Sequence, residues 1–209
     1  MQPIQALLFD LGGVVLQVDF GRALAHWQHH SRLAPGALRQ AFCMDEPYRR
    51  HETGALASDA YFEHLRGLLQ LDCPAEAVRA GWNAILVAEI GETLRLVADA
   101  SRRVPCYALS NTNPAHLETI AQRFPACLAP FRTVFVSSTI GHRKPDPPAF
   151  AHVAQAIGVP AAAVLFFDDL AENVAAARAF GMQAVLVRGP HDVADALRAH
   201  GLVEAGEPG

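Results

Sequence analysis

Short apolar runs and amphipathic stretches alternate along most of the chain. Five runs have the length and composition of buried strands, at residues 6–9, 104–109, 133–136, 164–167 and 184–187. Patterns typical of amphipathic helices separate most of them. Strands that alternate with helices pair in parallel, so the sequence predicts an α/β fold built on a parallel sheet.

Residues 20–89 follow a different pattern. Segments such as LAHWQHHSRL, SDAYFEHLRGLLQL and AEAVRAGWNAIL space apolar residues three and four apart, as amphipathic helices do, and strand signals are almost absent. Because this stretch follows the first strand, we predict a helical cap inserted there. The predicted α/β core comprises residues 1–16 and 92–209, and the predicted cap residues 17–91.

Composition narrows the setting. The 209 residues are 51% hydrophobic, enough for one domain with a smaller insertion. A net charge of -4 without a long basic run argues against nucleic acid as a partner. The four cysteines are far apart, no export signal begins the chain and no apolar run is long enough for a bilayer. We therefore expect a cytoplasmic protein without membrane association, and homo-oligomerisation stays open.

Polar residues stand where the predicted strands end. They are Asp10, Ser110, Asn111, Asp168 and Asp169, with Lys144 in a proline-rich loop. Each alone has an ordinary explanation, since Asp is common in turns, Ser, Asn and Asp cap helices, and lysines are mostly solvated. The carboxyl ends of parallel strands, however, share one edge of the sheet. We therefore expect all six side chains to converge on one crevice.

Such a cluster predicts phosphoryl chemistry. Two carboxylates about 4 Å apart repel by roughly 4 kcal/mol at an effective dielectric constant of 20, so three of them require a cation. Oxygen ligands without a Cys/His set favour Mg²⁺. A hydroxyl, an amide and a lysine ammonium beside that ion would hold a phosphoryl group, which leaves Asp10 as a nucleophile that forms an aspartyl-phosphate.

Four segments resemble the motifs of the haloacid dehalogenase (HAD)-like hydrolases. They are FDLGGVV with Asp10, LSNT with Ser110, RKPDP with Lys144 and the acidic FFDDLAENV. The resemblance implies a Rossmann-like parallel sheet and a helical cap after the first motif. The cap segments VDFGRALAHW and GWNAI are similar to a bacterial branch of sugar-phosphate phosphatases that includes alpha-D-glucose-1-phosphate phosphatase. This similarity implies a small phosphorylated metabolite, a sugar phosphate, as substrate.

One position departs from the pattern of most HAD phosphatases. They carry a second Asp as general acid two residues after the nucleophile, where this chain has Gly12. Its carbonyl remains available as a metal ligand beside Asp10, Asp168 and Asp169, of which Asp169 is our choice for direct contact. Two alternatives follow, a haloacid dehalogenase or a non-catalytic binding protein on the same fold. The adjacent carboxylates of Asp168 and Asp169 disfavour a dehalogenase. The presence of both Asp10 and Lys144 disfavours a non-catalytic binding protein.

Recognition of the rest of the substrate is assigned to the cap. The phosphoryl-handling groups occupy the sheet edge, so the cap must read the organic group and exclude water. Arg49, His51 and Trp82 are the predicted substrate contacts.

Overall fold

The computed structural model describes residues 2–204. Within this range the chain forms seven strands and eleven α-helices. The strands are β1 (Ala6–Phe9), β2 (Leu16–Val18), β3 (Leu86–Glu89), β4 (Cys106–Ser110), β5 (Val134–Val136), β6 (Val164–Asp168) and β7 (Gln183–Leu186). The helices are α1 (Phe20–Gln28), α2 (Pro35–Ala41), α3 (Glu46–Glu52), α4 (Ser58–Leu68), α5 (Ala75–Asn83), α6 (Gly91–Ala100), α7 (Pro114–Arg123), α8 (Ser137–Ile140), α9 (Pro147–Ile157), α10 (Ala171–Phe180) and α11 (Pro190–Ala199).

Five strands form one parallel sheet in the order β5-β4-β1-β6-β7. Both faces of the sheet are covered, since Leu7 and Phe9 of β1 belong to one apolar cluster and Ala6 and Leu8 to another. Strands buried on both faces need apolar residues at every position, which explains the uninterrupted run before Asp10. The predicted fold class is confirmed.

The register of the sheet brings Asp10 and Asp168 next to each other. Phe9 pairs with Phe167 across β1 and β6, and their rings stack with centroids 4.6 Å apart. The next residues along these two neighbouring strands are Asp10 and Asp168. The backbone N–H of Asp10 donates to the Phe167 carbonyl at 2.8 Å, so the end of β1 is held against β6.

The segment 20–89, in which strand signals are almost absent, contains a strand at its C-terminal end. Residues 86–89 form β3, which pairs antiparallel with β2. The LVAE sequence of β3 is too short to show a period of its own, and its partner lies far away along the chain. The β2–β3 pair lies close to the two predicted domain boundaries, and the division into core and cap remains our proposal.

Helices α1 to α5 pack on one another through the cap. The buried indole of Trp27 donates from Nε1 to the Val78 carbonyl at 3.1 Å and so joins α1 to α5. A Cβ on Gly81 would lie 2.1 Å from that nitrogen, which is why α5 carries glycine there. Within residues 2–204, no helix is long and apolar enough to span a membrane.

Candidate active site

Asp10 lies at the carboxyl end of β1, and one of its carboxylate oxygens is engaged in contacts within the protein. Its Oδ1 accepts a hydrogen bond from the backbone N–H of Leu11 at 2.7 Å and lies 2.9 Å from Nζ of Lys144. Neither contact uses Oδ2. The side chain borders a cavity, so the second oxygen is left for a ligand.

Lys144 is buried between two carboxylates. Its Nζ lies 2.6 Å from Oδ2 of Asp168 and 5.4 Å from the centroid of the Phe166 ring. Burial by itself lowers the pKa of this ammonium, but the charges of Asp10 and Asp168 outweigh burial and raise the pKa above its usual value. Lys144 therefore stays charged. It is also the only lysine of the 209 residues.

Asn111 holds the loop that carries Lys144. Its Nδ2 donates to the Lys144 carbonyl and its Oδ1 accepts from the Lys144 N–H, both at 2.8 Å. The peptide bond between Lys144 and Pro145 is cis. The sequence predicts Asn111 as a contact to the phosphoryl group; Asn111 lines the cavity, and its amide also positions the lysine. Ser110, at the end of β4, lines the cavity beside Asp10.

Asp10, Asp168 and Asp169 lie together, and Asp10 and Asp169 line the cavity. Each offers a carboxylate oxygen, and these oxygens all lie within 4.8 Å of one another. The second glycine of LGG makes room for them, because a Cβ on Gly13 would lie 2.1 Å from Oδ2 of Asp169. The φ of Gly13 is +70, a conformation that glycine adopts without strain.

The cluster has more negative than positive charge. Burial raises the pKa of Asp10 to about 7; the Lys144 charge opposes this rise and the Asp168 charge adds to it. Burial, followed by the charge of Asp168, also raises the pKa of Asp169. Three carboxylates share one ammonium, so a cation bound by the carboxylate oxygens would relieve their repulsion. The oxygen-only donor set fits a hard divalent cation.

The two neighbouring carboxylates of the FFDDLAENV segment, Asp168 and Asp169, have different surroundings. Asp168 is fully buried, and it accepts hydrogen bonds from Nζ of Lys144, from the backbone N–H of Leu170 at 2.9 Å and from Nδ2 of Asn173 at 3.0 Å. Asp169 is exposed at the cavity. The environment therefore leaves Asp169 the freer of the two to bind a cation.

A cavity of about 420 Å³ separates this edge from the cap. Gly12 lines its core side, and Tyr48 and Glu52 of α3 line its cap side. Nε of Arg143 donates to Oε2 of Glu52 at 2.8 Å, and this ion pair links the cap to the residue before Lys144. Burial raises the pKa of Glu52, and Arg143 opposes the rise. Sequence reasoning missed this pair, although the position of Arg143 beside Lys144 was a usable signal.

The three predicted cap contacts lie in different places. Trp82 lines the cavity, but its indole is buried, stacks on His116 at 4.8 Å and donates from Nε1 to Oδ1 of Asn113 at 3.3 Å. Arg49 lines an outer cleft of about 490 Å³. His51 is buried within the cap, where its ring stacks on Tyr61 at 4.4 Å, and it lines neither cavity.

Comparisons with known proteins agree with this fold. The model of the haloacid dehalogenase-like hydrolases matches residues 4–181. The chain is 28% identical over 193 residues to drimenol cyclase drtB of Aspergillus calidoustus, covering 88% of this chain and 34% of that protein. It is 22% identical over 185 residues to the D-ribitol-5-phosphate phosphatase of Bacteroides thetaiotaomicron, covering 86% of this chain and 90% of the relative.

A solved structure shares the same architecture. The wild-type HAD family enzyme of Bacteroides thetaiotaomicron, in complex with magnesium and inorganic phosphate, superposes with a TM-score of 0.77 at 22% identity. The superposition covers 89% of this chain and 95% of that chain. At this identity the likeness concerns the fold.

The match to the family model spans most of the chain. Residues 2–204 form a parallel sheet with three carboxylates clustered at the carboxyl ends of its strands. The protein belongs to the haloacid dehalogenase-like hydrolases. The chain spans only 34% of the length of drimenol cyclase drtB.

Proposed function

We propose that this protein is a Mg²⁺-dependent phosphatase that hydrolyses a small phosphate ester through an aspartyl-phosphate. The observation that carries the proposal is the pairing of Asp10 with Lys144. The ammonium and the Leu11 N–H orient Oδ1, while Oδ2 is left for the phosphorus atom. A nucleophilic carboxylate beside a buried cation is the arrangement that phosphoryl transfer requires.

The chain supplies two displacement steps. Oδ2 of Asp10 attacks phosphorus, the bond to the ester oxygen breaks, and the alkoxide takes a proton from water, which leaves hydroxide. A second water then attacks the phosphorus of the aspartyl-phosphate and the bond from phosphorus to Oδ2 breaks, which releases inorganic phosphate and restores the carboxylate, while the proton lost by this water neutralises the hydroxide. Lys144 neutralises charge on the non-bridging oxygens in both steps, and Asn111 keeps the lysine in place.

The metal would be held at the acidic edge. Asp10 and Asp169 are the proposed carboxylate ligands, with the carbonyl of Gly12 as a third, while Asp168 acts mainly through Lys144. When bound, Mg²⁺ supplies positive charge to the phosphoryl oxygens.

The organic group of the ester is a separate question. The sequence resemblance implies a sugar phosphate, and a relative acts on D-ribitol-5-phosphate, as its name states. Sugar phosphates therefore belong in the first substrate panel.

Release of inorganic phosphate from such a panel tests the proposed function. We expect turnover with Mg²⁺ and loss of turnover in EDTA that added Mg²⁺ restores. The dehalogenase alternative would release chloride from 2-chloropropionate without metal, and a binding protein would release neither product. Phosphate release that persists in EDTA would contradict the metal-dependent mechanism.

Metal titrations should distinguish the roles of Asp168 and Asp169. We expect Asp169→Asn to raise the Mg²⁺ concentration for half-maximal activity more than Asp168→Asn does, because the Asp168 oxygens are already engaged by Lys144, Leu170 and Asn173. Asp168→Asn should instead lower the thermal stability, because it weakens a buried ion pair. A larger metal requirement in Asp168→Asn would reverse the assignment.

The absence of an acidic side chain at Gly12 should appear in the leaving-group dependence. General acid catalysis is worth about 10²–10⁴-fold, so without it the rate should depend steeply on leaving-group pKa. We expect log kcat to fall with rising leaving-group pKa along a series of phosphate esters. Gly12→Asp should make the slope shallower, and a Cβ at this position meets the Val18 side chain at 3.4 Å, an ordinary contact. A flat slope in the parent protein, where chemistry limits the rate, would show that another residue donates the proton.

A further inference from the structure

Two large hydrophobic side chains stand out on the described surface. Met44 is 54% exposed and Leu170 is 48% exposed, and no other large hydrophobic side chain of residues 2–204 is classed as exposed. Both line the cavity that contains Asp10. Met44 comes from the cap and Leu170 from the strand edge beside Asp169, so apolar surface approaches the reacting groups from both parts of the molecule. Exposed apolar surface at a cavity commonly marks a ligand site.

Other side chains of the cavity lining are also apolar. Val18 of β2 and Phe20 of α1 are half-buried and line the same cavity, with the more deeply buried Ile85 and Leu86 beside them. The charged lining residues are Asp10, Lys144 and Asp169 at the strand edge, the Glu52–Arg143 ion pair and Glu172, whereas Val18, Phe20, Met44, Ile85, Leu86 and Leu170 are hydrophobic. An ester in this cavity would therefore place its organic group against apolar side chains.

Several polar groups of the wall already have protein partners. Oδ1 of Asn113 accepts from the Trp82 indole and from the His116 N–H, and its Nδ2 contacts Nδ1 of His116 at 3.1 Å. Glu52 is paired with Arg143, and both ends of the Asn111 amide bind Lys144. The amides of Asn111 and Asn113 thus already have partners within the protein, and an apolar group leaves these contacts intact.

We infer that the phosphate ester carries an apolar organic group, an alkyl or aryl chain that lies against Val18, Phe20, Met44 and Leu170. This inference rests on the proposed phosphatase function for the position of the phosphoryl group. It replaces the sugar that the sequence resemblance implies with an alcohol recognised by burial of hydrocarbon surface.

Binding of alkylphosphonates tests the inference without turnover. Methyl-, n-butyl- and n-hexylphosphonate are titrated calorimetrically into the Mg²⁺-loaded protein. We expect affinity to rise about two- to four-fold for each added methylene, because each methylene buried in the cavity adds to the binding free energy. Met44→Gln and Leu170→Gln should each reduce the ratio of hexyl to methyl affinity. Ala37→Gln, at an exposed cap position outside both cavities, is the matched control and should leave the ratio unchanged.

Rates of hydrolysis provide a second test of the inference. The kcat/KM of n-hexyl phosphate should exceed those of methyl phosphate and D-ribitol-5-phosphate, all of which are esters of primary alcohols. Affinity that is independent of chain length, or preference for the ribitol ester, would overturn the inference. Chain-length-dependent binding without phosphate release from any ester would support the apolar site and contradict the proposed phosphatase instead.

Discussion

Asp10→Asn should reduce phosphate release on the order of 10⁴-fold or more. The amide has nearly the shape of the carboxylate but is not nucleophilic, so the aspartyl-phosphate cannot form. Single-turnover measurements with an aryl phosphate separate this loss of chemistry from weaker binding. Turnover that persists in the variant, after exclusion of contaminating phosphatase, would remove Asp10 from the mechanism.

The pH dependence of the thermal stability should also differ between Asp10→Asn and the parent protein. The pKa of Asp10 is raised by burial to about 7 in the metal-free protein, above its ordinary value of 3.8. The folded state then binds more protons than the unfolded state between these values, so the parent loses stability as pH rises through this window. Asp10→Asn lacks this titration. Its thermal stability relative to the parent should therefore rise between pH 4 and pH 7 in EDTA, as measured by unfolding scans.

Lys144→Met should lower both activity and stability. Removal of one positive donor from a preorganised anion site typically costs 10²–10³-fold in kcat. The change also leaves Asp10 and Asp168 buried without their cation, which costs about 3–5 kcal/mol in comparable buried pairs. Both effects can be measured on one preparation, by phosphate release and by denaturant unfolding.

A second variant separates the two consequences. Lys144→Met combined with Asp168→Asn removes one of the stranded carboxylates, so it should recover stability relative to Lys144→Met alone while activity stays low. Recovery of activity along with stability would show that Lys144 serves only the fold. Because Lys144 is the only lysine, selective ¹⁵N-lysine labelling yields a single ammonium signal that reports its charge state directly in the parent.

Local sequence was sufficient for the sheet and for the residues at its edge. The strand runs are apolar because parallel strands are buried on both faces, and polar residues stand at the carboxyl ends of β1, β4 and β6. Asp10, Ser110, Asp168 and Asp169 could be located in this way, whereas Lys144 lies in a proline-rich loop and was located through the RKPDP segment. The second glycine of LGG could be located but not explained, since its neighbour Asp169 belongs to a distant strand.

Tertiary structure decided what these residues contact. The Asn111 amide binds a backbone 33 residues away, and Glu52 pairs with Arg143 across 91 residues, so neither contact leaves a periodic signal in the sequence. His51 stacks within the cap because helices α3 and α4 pack together there, although its neighbours in sequence suggested a substrate contact. Likewise, Met44 and Leu170 became parts of one cavity wall only when the cap folded over the sheet. Periodicity records which side of an element is buried, whereas the partners on that side are set by how distant elements pack.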